Sequence, residues 1–173
     1  EGFDAISLMP TNLYGPRDNY NLGTSHVMAA LIRKFYEAKA KDSKSITLWG
    51  SGSPLREFMH VDDLSEAVRF VLENWYPDIR TNANDPENTL CYLNVGTGKD
   101  ISIKELAKKI ADKFDFKGDI LWDLNRPDGT PKKQLDVSRI KKLGWEPKIN
   151  LNDGLDKTIK SFKEELFSNI CRL

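Results

Sequence analysis

The chain has 173 residues, 39% of them hydrophobic and 30% charged. That length can bury roughly 70% of the surface its unfolded form exposes, so a real core is available. The 26 basic and 26 acidic side chains cancel, so no net field favours nucleic acid or an anionic membrane, and an anionic ligand must be held locally. No apolar run approaches the roughly 20 residues of a membrane-spanning helix. Cys91 and Cys171 are the only cysteines, too few for a disulfide framework, and a free-thiol, cytoplasmic protein is the expectation.

The chain opens Glu1-Gly2-Phe3-Asp4, with no methionine and no targeting pattern. The apolar run Ala5-Ile6-Ser7-Leu8-Met9 follows, as in strands buried within parallel sheets. Such a strand needs parallel neighbours joined by crossovers, so the chain reads as the C-terminal part of something longer. Residues 10–24 are rich in Pro, Asn, Gly and Asp and read as a loop. The spacing then predicts a helix over 25–39, with Val27, Ala30, Leu31, Phe35 and Ala38 on one face. Residues 45–49 read as a strand ended by Gly50-Ser51-Gly52-Ser53-Pro54. A second helix is predicted over 62–75, with Leu64, Ala67, Val68, Val71, Leu72 and Trp75 as its apolar stripe. Asp63 and Glu66 have capping-box spacing at its start.

Residues 76–89 read as a polar surface loop and 91–95 as a strand ended by Gly96-Thr97-Gly98. Ser102 and Glu105 form a full capping box before a helix carrying Leu106, Ile110 and Phe114. A strand over 119–122, a polar loop over 125–134 and a short helix over 138–143 closed by Gly144 come next. The last helix starts near Asn152 or Asp153 and carries Leu155, Ile159, Phe162 and Leu166. Alternation of strand and helix argues for an α/β fold.

The glycine pairs carry no nucleotide fingerprint. Leu55 and Ile101 stand where G-x-G-x-x-G needs a small residue, so tight turns are the simpler reading. His60-Val61-Asp62-Asp63 reads as helix capping rather than a metal site. His26 falls in a helix's first turn, where the dipole opposes charge on the ring and leaves it able to exchange a proton; a packing histidine is the alternative. Lys34, Trp49 and Arg56 offer a point charge, a stacking face and a forked donor, each of which can also be structural. Arg126-Pro127-Asp128-Gly129-Thr130 is a turn by its chemistry. No tyrosine is followed four residues later by lysine.

The segments that go furthest are Asn12-Leu13-Tyr14-Gly15-Pro16, Ser25-His26-Val27, Trp49-Gly50-Ser51-Gly52 running on to Arg56, and His60-Val61-Asp62-Asp63. Asn94-Val95-Gly96-Thr97-Gly98, Pro127-Asp128-Gly129-Thr130-Pro131 and Leu143-Gly144-Trp145 complete them. In this order they resemble the C-terminal half of the extended short-chain dehydrogenase/reductase family, in particular its GDP-L-fucose synthase branch. The resemblance implies the C-terminal remnant of an NAD(P)-binding Rossmann domain plus a small α/β substrate-binding domain. Residues 1–24 would be the last strand and loop of the first, and residues 25–173 the second with returning Rossmann elements. It implies epimerisation at the two carbons flanking a ring ketone of a GDP-sugar, followed by reduction with NADPH. His26 resembles the family's catalytic acid. Pro10, Thr11, Asn12 and Leu13, together with His26, resemble the nicotinamide-facing segment. Lys34, Trp49, Arg56 and Asp128 resemble the GDP-sugar contacts.

Neither nucleic acid nor a membrane is implied as a partner. The Tyr-x-x-x-Lys pair and the first glycine-rich turn are absent from these residues, so this chain alone is expected to be inactive, with an exposed sheet edge through which it could form homo-oligomers. Another epimerase or dehydratase of the superfamily, or a non-catalytic nucleotide-sugar-binding module, remain the rival readings.

Overall fold

The computed structural model describes residues 5–76 and 92–173. In chain order the elements are β1 (Ser7–Pro10), β2 (Asn12–Tyr14), α1 (Val27–Ala40), β3 (Ser45–Trp49), β4 (Leu55–His60) and α2 (Val61–Asn74). After the undescribed stretch come β5 (Tyr92–Val95), β6 (Asp100–Ser102), α3 (Ile103–Lys113), β7 (Asp119–Asp123), β8 (Lys132–Lys133), α4 (Ser138–Lys142) and α5 (Leu151–Phe167). The expected loop over 76–89 and Cys91 lie outside the described residues, apart from Tyr76.

Three small sheets organise these elements. β1 pairs parallel with β5, Leu8 opposite Leu93. β3 pairs parallel with β7, Thr47 opposite Leu121. β4 is the hub of the third sheet. Its C-terminal half pairs parallel with β2, and its N-terminal half lies between antiparallel β6 and parallel β8. Because successive side chains leave a strand on opposite faces, Phe58 enters one apolar cluster and Met59 another. The first cluster joins α1, α3, α5 and β3 through Phe35, Leu48, Leu106, Ile110, Leu155 and Phe162. The second joins β1, β5, α2 and α4 through Leu8, Leu93, Val95, Ala67, Val71 and Ile140, with Trp145 behind.

The α3 capping box forms as expected. Ser102 Oγ accepts from Glu105 N at 3.1 Å, and the Glu105 carboxylate accepts from Ser102 N at 3.2 Å. Leu106, Ile110 and Phe114 are buried. Gly144 stands just past α4 with φ 99°, the left-handed geometry of a C′ glycine. The α1 face is rotated from expectation. Met28, Ala29 and Ile32 are buried with Leu31, Phe35 and Ala38, whereas Val27 and Ala30 are half-buried.

Four expectations need correction. The segment 10–24 is not all loop, because residues 12–14 form β2 on the edge of β4. The segment 125–134 contains β8, and β4 and β6 carried no sequence signal strong enough to place them. On α2, Val68 and Leu72 are exposed, so its buried stripe narrows to Ala67 and Val71 with Leu64 and Trp75 half-buried. Asp63 does not cap α2. That position is filled by His60, whose Nδ1 accepts from Asp62 N at 3.2 Å. The buried Asp63 carboxylate instead accepts from Lys148 N and Ile149 N, both at 3.0 Å, and so pins α2 to the segment before α5. Among the described residues, no helix is long and apolar enough to cross a membrane.

Candidate active site

His26 is set by the loop before it. Asn19 Oδ1 accepts from Asn21 N, Asn21 Oδ1 accepts from Gly23 N, and the Asn21 carbonyl accepts from Thr24 N and Ser25 N. These Asx turns bring the chain into α1 with His26 at the N-cap position. The His26 carbonyl takes the first helical bond from Ala30 N at 3.0 Å, but its ring caps nothing. The ring is left exposed at the rim of a cavity of about 450 Å³. Pro10, Thr11, Asn12 and Leu13 line the same cavity, together with Asp18 and Lys133. Burial pushes the Asp18 carboxyl above its usual range, against the pull of a backbone hydrogen bond and of the nearby His26 and Arg172.

The cavity lies beyond the carboxyl end of β1, where parallel sheets commonly place ligands. Thr11 Oγ1 and Asn12 Nδ2 both donate to the Glu57 carbonyl, at 3.1 and 2.8 Å. Their polar groups are thereby turned onto the scaffold, and the Pro10 and Leu13 side chains contribute an apolar lining. An apolar lining with a polar rim suits the nicotinamide end of a dinucleotide.

The second group of candidates gathers where β3 ends. Trp49 is 63% exposed, so its ring is open to a ligand. Lys34 Nζ lies 5.5 Å from the centre of that ring and Arg126 Cζ 4.9 Å from it. Burial lowers the Lys34 pKa from its ordinary value, and no carboxylate pairs with it among the described residues. Arg56 Nη1 donates to the carbonyls of Leu55 and Thr130, at 2.7 and 2.6 Å. Two neutral acceptors orient its guanidinium and leave its charge unspent. Asp128 accepts from Ser51 N at 2.8 Å and from Ser51 Oγ at 2.6 Å. The Ser51 hydroxyl and amide hold its carboxyl below the usual range. In this structure Asp128 therefore acts as a clasp on the turn after Trp49.

The two groups are separate in this structure, with α1 and β8 running between them. Lys34 lies eight residues past His26, about 12 Å along the helix. Lys133 lines the His26 cavity and also sits in register with Arg56. The cavity does not include Lys34, Trp49, Arg56 or Asp128, and Lys133 is the lining residue that lies in register with one of them. Sequence reasoning missed Lys133, whose only signal was its place in a polar loop just after the Pro127–Pro131 turn. It also missed Arg126 as a partner of Trp49, and it missed Glu57, which is fully buried. Among the described residues, no cluster of His, Cys, Asp or Glu could hold a metal ion.

Residues 1–80 match the family model described as the NAD dependent epimerase/dehydratase family. The GDP-L-fucose synthase of Escherichia coli (strain K12) is 46% identical over 163 residues, covering 94% of this chain and 50% of that protein. GDP-L-fucose synthase 1 of Arabidopsis thaliana is 44% identical over 170 residues, covering 98% of this chain and 48% of that protein. The chain is a homologue of the GDP-L-fucose synthases. The crystal structure of a GDP-L-fucose synthetase from Naegleria fowleri bound to NADP matches with a TM-score of 0.81 at 25% identity, over 97% of this chain and 49% of that one. The architecture is the α/β, Rossmann-type fold of the extended short-chain dehydrogenase/reductases, as the sequence motifs implied. The chain spans about half the length of these GDP-L-fucose synthases.

Proposed function

We propose that this chain forms the nucleotide-sugar-binding part of a GDP-L-fucose synthase. The observation that carries the reading is Lys133, which faces the His26 cavity while lying in register with Arg56. It makes one elongated site of two groups. Trp49 stacks on the base, and Lys34, Arg56 and Lys133 neutralise the diphosphate. The sugar then reaches His26, and Asp128 holds the turn that aims Trp49. Base stacking is worth about 1–3 kcal/mol, and each hydrogen bond to a charged group about 1.5–3 kcal/mol. Less the cost of association, those contributions support micromolar binding.

In the whole enzyme the substrate is a GDP-sugar whose ring ketone acidifies the protons on both flanking carbons. His26 returns a proton to each carbon from the face opposite to its removal, which inverts the centre. A positioned donor of this kind contributes roughly 10²–10⁴-fold in rate. Pro10, Thr11, Asn12 and Leu13 hold the nicotinamide end of NADPH, whose chemistry is hydride donation to the ketone carbon. No tyrosine in these 173 residues is followed four residues later by lysine, and hydride transfer is assigned to the whole enzyme.

Residues 1–24 contribute the cofactor domain's last strand and loop, and residues 25–173 the substrate domain with returning elements. Support comes from the separate apolar cluster that joins β1 and β5 to α2 and α4. A cytoplasmic setting, and self-association through β1, where Ser7 and Met9 are exposed, belong to the same reading. Calorimetry of the chain with GDP, UDP and dTDP tests it. Preference for GDP supports the reading, and equal or absent binding of all three contradicts it.

A further inference from the structure

Glu57 is fully buried in the middle of β4, between Arg56 and Phe58. An ionised carboxylate is costly to bury unless its oxygens are satisfied. Among the described residues Glu57 has no cationic partner; backbone N–H groups from two remote segments serve instead. Oε1 accepts from Thr97 N at 2.6 Å and Gly98 N at 2.8 Å, and Oε2 accepts from Leu135 N at 2.8 Å. A side chain on Gly96 would collide with Oε1, so the close approach of this turn depends on glycine. Gln134 Nε2 adds an outer tie by donating to the Gly98 carbonyl at 2.6 Å. The backbone carbonyl of Glu57 meanwhile holds Thr11 and Asn12.

We propose that Glu57 is the positioning residue of the phosphate site. Its two oxygens lock the segment after β8 to the 96–98 turn and so fix Lys133 beside Arg56. Filling the space in β4 needs only a side chain of the right volume. Two oxygens divided between two segments fix where those segments lie relative to each other. Leu135 follows Lys133 by two residues, and β8 pairs with β4 only at Leu55 and Arg56. Without the carboxylate, the remaining ties are that short pairing, the Leu55 N bond to the Pro131 carbonyl, the Arg56 bond to the Thr130 carbonyl, the Lys132–Asp100 ion pair and the Gln134 tie, and none of them reaches the backbone just past Lys133 as the Leu135 N–H bond does. This inference rests on the reading of the site as a nucleoside diphosphate site.

The test is a double-mutant cycle on GDP binding by calorimetry, using the chain, Glu57→Gln, Lys133→Ala and the pair. Glutamine keeps one acceptor oxygen and turns an NH2 group toward a donor, so one segment is released. Each single change should weaken GDP binding about tenfold, and the pair no more than about twentyfold, because Glu57 acts through Lys133. A merely structural Glu57 would give the full product, about a hundredfold, and that result overturns the proposal. Gln134→Ala removes the outer tie alone and covers the case in which Glu57→Gln does not fold. It should weaken GDP binding several-fold with the melting temperature unchanged, and unchanged affinity counts against the proposal. Failure of the unaltered chain to bind GDP overturns the reading of the site itself, which separates the two failures.

Discussion

Replacing Asp63 with alanine removes the acceptor for two amides, Lys148 N and Ile149 N, each at 3.0 Å from the buried carboxylate. A hydrogen bond to a charged group contributes about 1.5–3 kcal/mol, so the loss of both should cost about 3–6 kcal/mol. For a domain of this size that lowers the melting temperature by roughly 10 °C. Asp63→Asn keeps one acceptor oxygen but sets an NH2 group against the other amide, and should cost about 2 kcal/mol. Urea unfolding followed by circular dichroism gives both values, provided the slope m is unchanged. The order unaltered, asparagine, alanine follows from counting acceptors. If Asp63 only favoured the α2 dipole from its first turn, both variants would cost less than about 1 kcal/mol. That result would refute the assignment of Asp63 as a bridge between α2 and the α5 approach.

Three other perturbations have defined outcomes. Burial lowers the His60 pKa below its ordinary 6.5, outweighing the attraction of Asp62. The unfolded chain then takes up the proton first, so stability is complete above about pH 6.5 and falls as pH drops toward the folded pKa. The slope from this group is at most about 1.4 kcal/mol per pH unit, and His60→Gln should flatten it in urea titrations between pH 7 and 5. Trp49→Ala should weaken GDP binding by roughly 10–100-fold, measured by calorimetry, with little change in stability because the ring is 63% exposed. Gly96→Ala would push a methyl group into the Glu57 carboxylate and should destabilise the chain by about 1–3 kcal/mol in urea unfolding.

The helices were legible because their signals are local. Ser102 and Glu105 announce α3, Gly144 ends α4, and Leu155, Ile159 and Phe162 repeat at helical spacing along α5. β4 was hidden because two adjacent charged residues, Arg56 and Glu57, break any apolar alternation, and what satisfies them includes a carbonyl and amides 40–78 residues away. Asp63 misled for the same reason: a carboxylate in a first turn looks like a cap, and its acceptors' use is decided 85 residues later. β2 and β8 are three and two residues long, too short to show a period. His26, Lys34, Trp49, Arg56 and Asp128 stood out by residue chemistry and took their roles from the family resemblance, and the fold adds where they stand: at the start of α1, on α1, at the end of β3, on β4 and in the loop before β8. Lys133 escaped notice because a lysine in a polar loop is ordinarily solvated. Its position follows from strand pairing, which only the folded chain displays.

Only two histidines are present, so their imidazole signals can be followed separately by NMR while GDP-L-fucose is added. The proposed site has His26 at its sugar end and leaves His60 outside it. His26 and the Trp49 indole should therefore shift together along one binding curve, with His60 unmoved. A Trp49 shift with a silent His26, or two curves of different midpoint, would show that the imidazole and the nucleotide site are separate.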